Sequence, residues 1–314
     1  MRVEQVSTHE GEGAPVEARR ARGGALSSLW AALRPRQWVK NFLVLAALVF
    51  GRRLFVAEAV SDALLGFAAF CLVSSAGYLV NDLRDLEHDR RHPSKRARPL
   101  AEGRLGGIAA VVAAVALTLA GAACGLVVGR GFALALAAYA AVSLAYTFIL
   151  KRVVIVDVFA IAAGFVLRAA AGALAVGVEL SGWLLVCTTL GSLLVGFGKR
   201  RNELLLLKES ADGHRRVLED YNLRFLDMMI GIAAASSVMS YALYTASEET
   251  AARFHTRAMF LTLPFVLYGI FRYLFLVYCR GRGGDPVETV LTDRATLVNV
   301  LLWATTVVVI LYLR

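Results

Sequence analysis

The sequence predicts an all-α, polytopic membrane protein of about nine transmembrane helices, and three observations carry that prediction. Hydrophobic residues make up 58% of the 314, and mean hydropathy is +0.62, far more apolar side chain than one soluble core takes up. Apolar runs long enough to cross a bilayer, about 17 to 25 residues, recur along the whole chain. The basic residues are sorted by side: of 34 Lys and Arg, 26 lie in the N-terminal stretch or in every second connection, against 6 on the other side.

The runs lie near 41–58, 60–81, 106–128, 131–150, 153–177, 182–199, 225–246, 258–279 and 295–313. By the positive-inside rule the basic side is cytoplasmic, which places the C-terminus outside and requires an odd number of crossings. The protein is therefore expected in the cell membrane, multi-pass, with its N-terminus and charged connections cytoplasmic. The same rule accounts for the net charge of +10 without a nucleic-acid partner. Residues 1–28 are polar, rich in Ala, Gly, Glu and Arg, and lack the apolar stretch of a signal peptide; they read as a disordered cytoplasmic tail, leaving 29–314 as one transmembrane domain. Four cysteines fall one each in separate apolar runs, which suggests neither a disulfide framework nor a zinc site. No Walker loop, GxGxxG or GxSxG motif is present.

The polar stretch Asn81 to Arg104 stands between two apolar runs. If the preceding helix continues to Asp89, turning about 100° per residue, Asn81, Asp82, Asp85 and Asp89 share one arc of about 100°. Carboxylates stacked that way repel unless a cation sits among them. Mg²⁺ suits the position, because it takes hard oxygen ligands and is commonly shared between carboxylates and a substrate phosphate. Lys95, Arg96 and Arg98 follow, and a phosphorylated substrate needs such cations. The competing reading is a solvated mixed-charge loop; a cluster beginning at the mouth of an apolar helix favours the site.

Four other places carry chemistry. The segment RPRQWVKN puts Lys40 and Asn41 at the start of the first run, either as a positive-inside anchor or facing a bound phosphate. The turn after the fourth run holds Tyr146 and Lys151, and Asp157 lies about one and a half turns into the next helix. An acid at that depth needs a partner or a hydrated cavity. Arg168 shares its face, about 16 Å further along the axis, too far for a direct pair. Lys199, Arg200 and Glu203 stand at the end of the sixth run, before a long, partly helical connection, while Arg272 is placed to snorkel to the cytoplasmic boundary.

With these residues in view, the chain resembles the UbiA superfamily of intramembrane prenyltransferases. The resemblance rests on an NDxxDxxxD motif after the second helix (Asn81, Asp82, Asp85, Asp89) and on Tyr146 with Lys151, one residue wider than the usual tyrosine-lysine form. Five segments in order, RPRQWVKN, YLVNDLRDLEHDRRHPSKRARPLAEG, LRAAAGALA, GSLLVGFGKRRNEL and GGDPVETVLTDR, are similar to the decaprenyl-phosphate phosphoribosyltransferase branch. That branch implies a UbiA-like bundle with a cytoplasm-facing cavity, phosphoribosyl pyrophosphate and a polyprenyl phosphate as substrates, and a place in cell-envelope glycan synthesis. It also implies Mg²⁺ on Asp82, Asp85 and Asp89, with Lys151 beside them. Lys40, Asn41, Asn81, Arg96, Tyr146, Arg168, Lys199, Arg200 and Glu203 would then contact substrate. Aromatic prenyltransferases of the superfamily carry a second aspartate motif after the sixth helix; this chain has Lys199 and Arg200 there. The rivals are such an aromatic prenyltransferase and, from another class, a lipid-phosphate transporter.

Overall fold

The computed structural model describes residues 24–91, 95–208, 220–281, 284 and 286–313. The tail expected at 1–28 lies largely outside the described residues, and α1 (Ala25–Leu33) begins before its expected end. Residues 35–45 follow as a 3-10 helix running into α2 (Ala46–Phe50). Then come α3 (Ala57–Arg84), α4 (Leu86–Arg91), α5 (Gly107–Val128), α6 (Arg130–Phe148) and α7 (Val156–Ala175). After α8 (Gly182–Lys208) and α9 (Leu223–Ala246) stand the short α10 (Glu248–Phe254), then α11 (Leu263–Cys279), α12 (Pro286–Thr292) and α13 (Arg294–Tyr312). Among the described residues there is no strand.

Eight of these helices, the α11 span counted from Ala258, are long and apolar enough to cross a membrane. The first expected span, 41–58, is not among them. Its place is taken by residues 35–50, and the chain turns at Gly51. Pro35 starts the 3-10 run where its missing N–H costs nothing, and Arg34 in the left-handed region (φ 54°) turns the chain out of α1. At about 2.0 Å of rise per residue the 3-10 stretch covers roughly 22 Å, and α2 adds about 7 Å. Sixteen residues thus reach across hydrocarbon about 30 Å thick. A period of three turns Asn41, Val44 and Ala47 inward, and all three are buried. A Cβ on Gly172 of α7 would stand 2.2 Å from the Val44 carbonyl oxygen, so only glycine admits this close approach.

Direct contacts identify the two ends of the bundle. At one end Arg34 meets Asp82, Lys151 meets Asp85, and the Tyr221 hydroxyl meets the Ile155 amide. At the other end Gly51 packs on Val178, Arg253 donates to the Glu179 carbonyl, and Tyr312 donates to the Leu48 carbonyl. The segment leading into the bundle and the end of α13 therefore lie at opposite ends, as an odd number of crossings requires. Between them runs a core of Phe70, Phe132 and Tyr139 rings, edge-on and tilted to one another, packed against Val44 and the small residues of α7, and a second of Val158, Phe197, Leu226 and Ile230. At 28 and 27 residues, α3 and α8 are about 40 Å long, some 10 Å more than the hydrocarbon. Their surplus turns carry the polar residues of the first end.

Candidate active site

The helix expected to continue from α3 to Asp89 breaks at Asp85, whose φ of −97° and ψ of 11° leave the helical well. Its amide still bonds the Asn81 carbonyl, and the Asp89 amide bonds the Asp85 carbonyl, so the direction is kept while the side chains divide. Asp82 and Asp89 are buried and share one donor: Arg98 Nη1 lies 3.0 Å from Asp82 Oδ1 and 2.5 Å from Asp89 Oδ2. Arg34 Nη2 also reaches Asp82 Oδ1, at 2.5 Å, with its guanidinium over the Tyr78 ring. Asp85 turns away from both to Lys151, whose Nζ lies 2.7 and 2.8 Å from its two oxygens. The single arc of three carboxylates is thus corrected to a pair and a separate third.

The divided set bears on metal binding. Among the described residues no three His, Cys, Asp or Glu side chains converge as metal ligands would. Asp82 Oδ2, however, is buried and has no hydrogen-bond partner, and such an orphan acceptor is costly unless something else meets it. Asp82 and Asp89 flanking one nitrogen, all hard oxygen with Asp82 Oδ2 unspent, fit a hard divalent cation that draws its other ligands from water and phosphate. In charge, Arg98 occupies the position such a cation would take.

Asp157, read as too deep to stand alone, has its partners on other elements. Arg200 donates from Nε to Asp157 Oδ2 at 2.5 Å, from Nη1 to Glu203, and from Nη2 to the Tyr146 hydroxyl at 2.9 Å. The Tyr221 hydroxyl donates to Asp157 Oδ1 at 2.8 Å and accepts the Ile155 amide at 2.6 Å. Burial pushes the Tyr221 phenol well above its usual range, so it stays a donor. Arg200, expected to contact substrate, is buried, with both its forks on acids and a tyrosine in this arrangement. Ile155 carries φ 68° and ψ −47°, and the Val156 amide closes on the Val154 carbonyl at 2.7 Å. This is the strained γ-turn, an outlier for a β-branched residue, costing about 1–3 kcal/mol.

Arg168 is buried and, among the described residues, forms no ion pair with a carboxylate. Nε donates to Asn41 Oδ1 at 2.7 Å, Nη1 to the Gly164 carbonyl at 2.7 Å and Nη2 to the Tyr139 hydroxyl at 2.8 Å. Its guanidinium carbon lies 4.4 Å from the Tyr139 ring centre and 5.5 Å from that of Phe165, a setting in which π faces help hold the charge. Arg168 thereby fastens the 3-10 strut to α6 and α7.

Lys199 makes no ion pair or hydrogen bond among the described residues and lies within the fields of Glu203, Arg200, Lys40 and Tyr146. Lys40 stands next to Asn41 on the strut, half-buried. Asn81 is half-buried above Asp85, while Arg96 is exposed on the 3-10 turn Lys95–Ala97, away from the carboxylates that Arg98 meets. Arg272 is tied to Asp293, the N-cap of α13, at 2.7 and 3.0 Å; this pair holds the Asp293 carboxyl well below the usual range. Toward the other end lies a largely apolar cavity of ≈ 260 Å³, lined by Leu43, Ala46, Cys187, Tyr241 and Trp303 among others.

Sequence reasoning did not single out Arg34, Tyr139 or Tyr221, and it named Arg98 only together with Lys95 and Arg96, as a cation for phosphate. Arg34 was visible only as a member of a basic run, and nothing marked the two tyrosines.

A bundle of membrane-crossing helices with paired acids and bases gathered at one end defines a membrane-embedded, group-transferring enzyme. The chain belongs to the UbiA prenyltransferase family, which matches residues 29–203, and it is a transferase. A protein of Corynebacterium glutamicum named decaprenyl-phosphate phosphoribosyltransferase is 39% identical over 290 residues, 90% of this chain and 86% of that one. The protein of that name from Mycolicibacterium smegmatis is 35% identical over 301 residues, 91% of this chain and 93% of its own length. A UbiA homolog from Archaeoglobus fulgidus, solved bound to GPP and Mg²⁺, superposes with a TM-score of 0.70 at 18% identity, covering 91% of this chain and 99% of that one.

Proposed function

We propose that the protein transfers 5-phosphoribose from phosphoribosyl pyrophosphate to a polyprenyl phosphate of the decaprenyl type, releasing pyrophosphate, at a site open to the cytoplasm. The observation that carries this reading is the charge on α8 at Lys199, within the fields of Arg200 and Lys40. A superfamily member using an isoprenyl diphosphate and an aromatic acceptor would present a second aspartate motif there; this chain presents Lys199, which among the described residues makes no ion pair or hydrogen bond and lies in the field of Glu203. The relatives named for this activity, aligned over about nine-tenths of the chain, support the same reading, as does the Mg²⁺ held by a protein of the same fold. The cytoplasmic placement is supported by the basic residues at the charged end, and the proposal extends, through the resemblance to the same branch, to a role in supplying cell-envelope glycan precursors.

The chemistry asks little of an acid or base. An oxygen of the lipid phosphate, already anionic near pH 7, forms the new bond to C1 of the ribose as the C1–O bond to pyrophosphate breaks. Asp82 and Asp89 would hold Mg²⁺, which when bound offsets charge on the leaving group. Lys151, paired with Asp85, would stand beside it. Arg34 and Arg98, only three-quarters covered, can pass from carboxylate to phosphate. Lys199 and Lys40 would hold the acceptor phosphate, and Leu43 and Ala46, three and six residues past Lys40, lead along one face of the strut to the apolar cavity, which suits an isoprenoid tail. Most of the rate would come from positioning.

Purified protein given labelled phosphoribosyl pyrophosphate, polyprenyl phosphate and Mg²⁺ should move label into the organic phase only when all three are present. Consumption of an isoprenyl diphosphate with an aromatic acceptor, phosphoribosyl pyrophosphate remaining inert, would establish the rival. Movement of unmodified lipid phosphate without turnover would establish a transporter.

A further inference from the structure

The γ-turn at Ile155 sits at the junction of two arms of the site. Four residues before it Lys151 reaches Asp85; two residues after it Asp157 grips Arg200, which in turn orients Tyr146 and Glu203. Any opening of the turn therefore rotates the Lys151 arm against the Arg200 arm. Ile155 is exposed, so packing of its own side chain does not hold the turn shut. What meets it is one phenol: Tyr221 Oη accepts the Ile155 amide and donates to Asp157 Oδ1. The same oxygen thus closes the strained turn and aims the carboxylate beyond it. Tyr221 is itself buried against Phe197, Leu226 and Ile230, and its ring is stacked on Phe225.

We infer that Tyr221 is a positioning residue, a clamp that keeps Ile155 in its strained turn and so fixes the Lys151–Asp85 pair relative to the Asp157–Arg200–Tyr146 chain. It touches neither the carboxylates at the mouth nor Lys199, and acts only through the turn and Asp157. Strain of this kind persists where surroundings over-determine it and gathers where geometry matters for function. As a reading of the transfer site this rests on the proposed reaction, and the test below separates the two.

The test compares Tyr221→Phe, Ile155→Gly and the double variant with the wild type, measuring kcat and KM for both substrates and the acylation rate of Lys151 by mass spectrometry. Glycine adopts φ near +68° without strain, so Ile155→Gly alone should stay within about twofold of wild type. Tyr221→Phe should lower kcat by about 10- to 100-fold, the scale of a displacement near 1 Å at a reacting centre, with KM for the lipid nearly unchanged. It should also expose Lys151 to faster acylation. The double variant should regain at least about half of the lost activity on a logarithmic scale and return Lys151 toward its slow rate. A merely structural tyrosine would lower the folded fraction, and a glycine elsewhere in the chain would not repair that. The inference is overturned if Tyr221→Phe keeps wild-type kcat and Lys151 reactivity, or if Ile155→Gly repairs neither. Should the wild type transfer no phosphoribose, the proposed reaction fails, and Lys151 reactivity across the four proteins still decides the clamp.

Discussion

Two groups of ion pairs stand at the same end of this bundle, and they are built differently. In the first, the buried acids Asp82 and Asp89 are met by Arg34 and Arg98, whose side chains remain 25% and 24% exposed. In the second, Asp157 and Arg200 are both 0% exposed. A guanidinium that still borders solvent can exchange carboxylate for phosphate without being stripped of all its water, provided another cation then meets the buried acid. A sealed pair has no such freedom: removing one partner leaves an uncompensated charge in a medium that cannot solvate it. The first group is thus suited to trading partners during a reaction cycle, and the second to holding the first in place.

The comparison is tested most severely at Asp82. Asp82→Asn should lower transfer by a hundredfold or more, about 3 kcal/mol of transition-state stabilisation, while the detergent-solubilised protein keeps its elution volume and melting behaviour. If instead folding is lost and activity per folded molecule is not, Asp82 belongs with the sealed group. Asp157→Asn should do the reverse in emphasis, destabilising by about 3 kcal/mol, read as a lower unfolding midpoint, with activity per folded molecule falling no further than the roughly 10- to 100-fold expected for Tyr221→Phe. Arg98→Gln relieves the cation lying between Asp82 and Asp89; about 1 kcal/mol of removed repulsion should lower the Mg²⁺ concentration for half-maximal rate several-fold while raising KM for the diphosphate donor. The smallest effect belongs to Glu87, which is exposed and, among the described residues, pairs with Arg90: Glu87→Gln should stay within about twofold of wild type across a Mg²⁺ titration, as exposed pairs do. Equal responses at Glu87 and Asp82 would make the whole stretch a solvated loop.

Eight crossings were legible because each is a run of apolar residues long enough to cross as α-helix, and hydropathy detects length. The ninth was misplaced because residues 35–50 rise faster per residue and repeat every three, a pattern that an α-helical window mistakes for a weak start to a longer span. Asp82, Asp85 and Asp89 could be found from spacing alone. Their division could not, since it depends on the break at Asp85 and on Lys151, 66 residues away. Similarly, hydropathy flags Asp157 and Arg168 as expensive, but their partners Arg200, Tyr139 and Asn41 come from other helices. Choosing Arg98 over Arg96 required the turn Lys95–Ala97, because three cations in four residues look alike until the backbone points them apart. Tyr221 had no signal at all: a tyrosine in a polar connection is ordinary until it is seen to touch Ile155.

The 3-10 strut ties the enzyme to the thickness of its membrane. An α-helix longer than the hydrocarbon adapts by tilting, and its residues keep their spacing. A 3-10 segment can instead shorten by rewinding, about 0.5 Å per residue and roughly 5 Å over its length, with each residue rotated by about 20° relative to the last. Rewinding would carry Lys40 away from Lys199 and pull Asn41 from Arg168, so a thinner bilayer would reach the chemistry through the strut before it disturbed any of the long helices. Lipid chain length then becomes an input to catalysis, read by the one crossing that has two lengths available to it.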